Sequence, residues 1–147
     1  LSKYIKIFYF YGKYTKMQSF QSILDSVKEF HETFGLDYHE QPEVQITDKI
    51  IELRHRLMAE ENDEYLEAAK DKDITLIADA LGDKLYILCG TIIAHGLQHK
   101  IVDVFNEIHR SNMSKLDENG QPLYREDGKI MKSNLYFLPD IKAILNN

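Results

Sequence analysis

From Met17 onward, apolar residues recur at steps of three and four, the spacing that gathers side chains on one face of an α-helix. Four segments carry the pattern. The first is predicted from Ser19 to Phe34, with Ser19 as N-cap and Gly35 at the left-handed position that ends a helix. The second runs from Thr47 to Lys70, capped by Thr47, and its inward stripe reads Ile50, Leu53, Leu57, Glu61, Glu64, Ala68. The third runs from Ile74 to His95 and ends at Gly96. It is apolar on nearly every side, the mark of a buried helix. The fourth runs from Lys100 to Lys115, with Ile101, Val104, Phe105 and Ile108 inward. Beyond it, Asn119-Gly120 and Asp127-Gly128 are strong turn pairs, so the stretch from Asp117 to Asn134 is an irregular arm or a small hairpin. A short last helix is predicted near Pro139. The expected fold is all-α: a bundle of four to five helices with an irregular C-terminal arm.

Two acids on the second stripe break its apolar character. A third and a fourth, Asp79 and Asp83, stand at i and i+4 in the greasy third helix and point the same way. Helices joined by a connection as short as Asp71–Asp73 pack antiparallel, so Glu61, Glu64, Asp79 and Asp83 are expected to converge, with Glu60 one position away. A buried ionised carboxylate has to be paired, protonated or bound to a metal. Arg54, Arg56 and Lys84 are near in sequence but are placed on other faces, which leaves a divalent cation as the neutraliser. Carboxylate oxygens suit Mg²⁺, with Mn²⁺ as the other candidate, and no Cys or His sits at matching positions for zinc. A run such as EENDEYLE is commonly a solvated face; its phase, and the second acidic pair, set this one apart.

The remaining features exclude more than they assign. The 147 residues carry a net charge of −6, unsuited to non-specific binding of nucleic acid. The most apolar stretch, Ile74 to Ile93, is interrupted by Asp79, Asp83 and Lys84 and is no membrane span. One cysteine, Cys89, allows no intrachain disulfide and points to a reducing, cytoplasmic setting; in the third helix it reads as packing rather than nucleophile. His31 and His55 read as surface residues, and His95 and His99 flank a helix end. There is no HExxH, Walker A or G-x-G-x-x-G sequence. Residues 1–16 hold four lysines and no acid. The change of composition at Met17 marks them as a non-native or disordered extension before a domain over 17–147, a native N-terminal strand being the alternative.

Glu60-Glu61-x-x-Glu64 on one helix, followed by an acidic pair on the next, resembles the EExxE…ExxD signature of the all-α nucleotide pyrophosphohydrolases, the superfamily of MazG, the dimeric dUTPases and the phosphoribosyl-ATP pyrophosphohydrolases. The run from Asp79 to Thr91 looks like the second metal-binding helix of a MazG-like branch, and His109-Arg110-Ser111-Asn112-Met113-Ser114-Lys115, with Asp127-Gly128-Lys129 after it, adds to the likeness. One departure matters: three residues before Asp83, where the signature has Glu, stands Ala80. The resemblance implies hydrolysis between the α- and β-phosphates of a nucleoside triphosphate, giving the monophosphate and pyrophosphate. It implies Glu61, Glu64, Asp79 and Asp83 as metal ligands and Glu60 as a further ligand or the base that orients water. It makes Arg110, Asn112, Lys115 and Lys129 candidates for phosphate or sugar contacts. Ala80 keeps alive a non-catalytic alternative, a bundle whose acids bind a metal or partner for structure or regulation. The all-round apolar third helix, and the resemblance, point to a homodimer or higher homo-oligomer.

Overall fold

A computed structural model describes residues 19–146; the expectations for residues 1–16 lie outside them. Five helices are found among the described residues: α1 (Phe20–Phe34), α2 (Asp48–Asp71), α3 (Ile74–Ala94), α4 (Ile101–Met113) and α5 (Ile141–Asn146). They fall into two compact units divided after Gln98.

In the first unit, local chemistry ends each helix where the sequence predicts. Ser19 and Thr47 accept from the backbone N–H groups of Ser22 and Ile50, and Gly35 closes α1 at φ 65°. α2 and α3 turn on two residues. Lys72 adopts φ 58°, and the Asp73 side chain caps α3 by accepting from the N–H groups of Thr75 and Leu76. α1 and α2 both pack on α3. Leu24 and Val27 of α1 are buried, as are Ala80, Cys89, Ile92 and Ile93 of α3. Phe30 meets Tyr86 edge to face at 5.7 Å.

The loop from Gly35 to Ile46 is stitched to the end of α3. The N–H groups of His39 and Glu43 donate to the carbonyls of Ile93 and His95. The Nδ1–H groups of His39 and His95 donate to the carbonyls of Ala94 and Glu43 at 2.8 and 3.0 Å. Gln98, 3% exposed, donates to the His39 carbonyl. Gly96 has φ 65°, and a Cβ there would lie 1.9 Å from the Gln41 carbonyl oxygen.

The expectation of an enclosed third helix fails within the single chain. α3 is not buried on every side: Ile74 is 75% exposed, and Leu81, Leu85 and Leu88 are exposed with it. The physical reason is that within this unit only α1 and α2 pack on it, and two neighbours cannot surround an all-round apolar helix.

In the second unit, α4 and the arm are tied together by serines. Ser111 donates to the Phe137 carbonyl at 2.8 Å, Ser133 donates to the Leu116 carbonyl at 2.7 Å, and Ser114 accepts from the Phe137 N–H. The stretch expected as an irregular arm or a small hairpin is irregular but for a tight turn at Asp127-Gly128, with Gly128 at φ 81° and a single bridge between Tyr124 and Ile130. The last helix begins at Ile141, two residues after Pro139, and Asp140 accepts from the Ala143 N–H. Of the side chains expected inward on α4, Ile101 and Val104 are half-buried, but Phe105 and Ile108 are 66% and 41% exposed. Phe105 stacks on the His109 ring at 6.5 Å. No helix among the described residues is long and apolar enough to cross a membrane.

Candidate active site

Two contacts mark the register of the α2–α3 seam: Lys84 donates to the Asn62 side chain, and the Arg54 guanidinium lies against the backbone at Gly90. This antiparallel register puts Glu61 level with Asp83 and Glu64 level with Ala80. Glu61 is half-buried, and its Oε2 is enclosed with no hydrogen-bond partner. Its carboxyl is held above the usual carboxylate range, first by loss of solvent and then by the negative charges of Glu64, Asp83, Glu60 and Asp79. All five acids singled out in the sequence thus share one electrostatic neighbourhood.

They do not share one point. Glu60, Glu64, Asp79 and Asp83 are exposed rather than inward. Among the described residues no three Asp, Glu, His or Cys side chains are gathered closely enough to grip a single ion as they stand. Glu60 also leans toward Arg56 at 3.8 Å. The cause is the open side of α3, which leaves these acids in water. A cleft of about 200 Å³ opens beside them, lined by Glu64, Glu67, Asp71, Asp79 and Ala80. Ala80 is 3% exposed. The position of the signature's missing Glu is therefore packed against α2, and the carboxylate on that side of the cleft is Asp79.

An enclosed carboxylate oxygen without a donor, amid four further carboxylates, fits a hard divalent cation by its donor set. An all-oxygen set also fits Mg²⁺ or Mn²⁺ better than zinc.

The sequence placed several residues wrongly, Lys84 among them, since it reaches across the seam to Asn62. Arg54, expected on another face, lies in the seam with Leu57, Glu61 and Ala68; Leu53, assigned to that stripe, is 39% exposed. His31, expected at the surface, is 2% exposed. Its Nδ1–H donates to the Asp37 carbonyl at 3.2 Å, and its Nε2 accepts from Arg54 Nη2 at 2.9 Å. Burial pushes the imidazole below its ordinary pKa, and the Arg54 charge pushes the same way. Glu67 and Asp71 were also missed as cleft residues; their signal was the steps of three and four that continue from Glu64.

The four candidate substrate contacts lie in the second unit. Arg110 is held by Glu107 through Nε at 2.8 Å and Nη2 at 2.9 Å, and sits over the Phe137 ring at 4.3 Å. The pairing, with the Asp140 N–H, draws the Glu107 carboxyl down to about 2. Asn112 accepts from the Lys115 ammonium at 2.7 Å. The Lys129 N–H donates to Asp127 in the hairpin turn.

No curated protein matches the chain. Residues 27–112, more than half of it, match the family described as Phosphoribosyl-ATP pyrophosphohydrolase, and the match spans α2 and α3 with the five acids they carry. The chain therefore belongs to the phosphoribosyl-ATP pyrophosphohydrolase family, and with it to the all-α, MazG-like nucleotide pyrophosphohydrolases, hydrolases that act on phosphorus anhydrides.

Proposed function

We propose that the chain hydrolyses nucleoside triphosphates between the α- and β-phosphates, in a divalent-cation-dependent reaction that releases the nucleoside monophosphate and pyrophosphate. The observation that carries this is Glu61: a half-buried carboxylate with an enclosed, unpartnered oxygen and four acidic neighbours. A net acidic seam repels a triphosphate unless a cation stands between them. Glu61, Glu64, Asp79 and Asp83 would hold Mg²⁺ or Mn²⁺. When bound, the cation neutralises phosphate oxygens and lowers the pKa of water. Glu60, the more exposed neighbour, orients the attacking water toward phosphorus in line with the leaving pyrophosphate. The exposed apolar faces of α2 and α3 support a homodimer.

The test is pyrophosphate release from a panel of nucleoside triphosphates, with phosphoribosyl-ATP added on the strength of the family's name. Each is assayed with Mg²⁺, with Mn²⁺ and with chelator. Turnover should require the cation, and Glu61→Gln or Glu64→Gln should lower kcat at least about a hundredfold. Undiminished turnover in either variant removes these residues from the reaction.

A further inference from the structure

Among the described residues, three of the four arginines are paired with acids: Arg56 with Glu60, Arg110 with Glu107 and Arg125 with Asp127. Arg54 is different. It is half-buried, and among the described residues no carboxylate is paired with it and its one hydrogen-bond partner is the uncharged Nε2 of His31 at 2.9 Å. The tautomer follows from the partners: His31 Nδ1–H donates to the Asp37 carbonyl, so Nε2 is left as an acceptor. The imidazole fixes the direction of the guanidinium without cancelling its charge. Gly90 completes the arrangement. A Cβ there would lie 3.0 Å from both terminal guanidinium nitrogens and 3.1 Å from His31 Nε2, so the absence of a side chain makes the room that Arg54 occupies.

A guanidinium taken partly out of water with no counter-ion is costly to a fold. This one is oriented by a second buried residue and stands in the same helical stripe as Glu61, seven residues or about 10 Å away along α2. Among the described residues only one of its five N–H donors is used. The planar fork matches a phosphate group, which it can grip through two parallel hydrogen bonds.

We propose that Arg54 is an anion-binding residue of the α2–α3 seam, positioned by His31 and Gly90 to take a phosphate group of the substrate or of the pyrophosphate product. The identity of the anion rests on the pyrophosphohydrolase reading; the unpaired guanidinium does not. His31 is a positioning residue and touches no substrate.

The experiment uses the ¹⁵N-labelled full chain in chelator and follows the arginine Nε–Hε resonances by NMR. Sodium pyrophosphate is titrated first, then inorganic phosphate, and Arg54→Lys assigns the Arg54 signal. A saturable shift confined to Arg54, larger for pyrophosphate than for phosphate, supports the proposal. An Arg54 signal unmoved at saturating pyrophosphate overturns it. In steady-state assays Arg54→Gln should raise KM about tenfold and leave kcat nearly unchanged. His31→Leu should do the same, and His31→Gln, which keeps an acceptor for Arg54, should recover most of the loss. Equal KM values in wild type and Arg54→Gln also overturn it. Thermal melts of each variant separate lost folding from lost binding, and the titration of wild type decides the matter where a variant does not fold. Pyrophosphate binding at Arg54 without turnover of any nucleotide sinks the enzymatic reading and leaves the anion site standing. Normal turnover with a silent Arg54 does the reverse.

Discussion

His31 shows what one misread residue conceals. A lone histidine between Phe30 and Glu32 carries no signal of burial, yet it is 2% exposed and bonded on both ring nitrogens. Because burial lowers its pKa from the usual 6.5, the unfolded chain binds a proton that the folded chain refuses. Its contribution is complete above pH 6.5 and is lost as pH falls from there toward the lowered folded value. The melting temperature of wild type should drop over that window, and the drop should be smaller in His31→Gln; parallel curves for the two proteins would exclude His31 as the cause. Glu61 poses the opposite case. Its charge is opposed by four neighbours, so Glu61→Gln in chelator should raise the melting temperature by about 2–4 °C. The same variant should lose most of the further stabilisation that Mg²⁺ gives wild type. Acids that carry function at the expense of stability behave in this way, and a fall in the metal-free melting temperature would count against their mutual repulsion.

At the scale of the element, what was legible was local. Ser19, Thr47, Gly35 and Gly96 mark helix ends because capping and left-handed turns depend on one residue and its nearest backbone. Phase was legible only to within one residue. Leu53 and Arg54 are 100° apart on α2, and hydrophobicity favoured the leucine for the inward stripe. Packing put Arg54 there instead, because His31 and the bare backbone at Gly90 accommodate a guanidinium. That accommodation joins residues 23 and 36 positions away, and no periodicity within one helix can show it. The acidic signature was legible because all five acids lie on two consecutive helices joined by two residues. The packing of Ala80 against α2, and the cleft beside Glu67 and Asp71, were not, since they follow from the register between those helices. Gly96 offers the clearest test of the stitched loop. Replacement by Ala adds a left-handed penalty of about 1–2 kcal/mol and drives a Cβ into the Gln41 carbonyl. Gly96→Ala should therefore cost about 3 kcal/mol or more in urea unfolding, whereas Gly82→Ala, with open space at its Cβ, should be neutral or stabilising.

For the whole molecule, the unresolved tension is the amount of apolar surface left in water. Ile74, Leu81, Leu85 and Leu88 form one stripe on α3 at steps of seven, four and three, and every one is at least 39% exposed. Ile51, Tyr65 and Leu66 of α2 are exposed as well, at 40–48%. Contiguous apolar surface of this kind is uncommon on a monomer that stays monomeric. Stable association buries roughly 1,200–2,000 Å², and the proposed homodimer would draw that area from these stripes about a two-fold axis. Charge decides the sign of the test: a carboxylate in the middle of the stripe makes its burial against a second copy costly. Light scattering should then show wild type at twice the chain mass of 17.2 kDa, and Leu85→Glu at the chain mass with a lowered, concentration-independent melting temperature. If wild type is already a monomer at micromolar concentration, the stripe has another occupant and the homodimer is lost. If Leu85→Glu dissociates but still hydrolyses nucleotide at the wild-type rate, each copy carries a complete site.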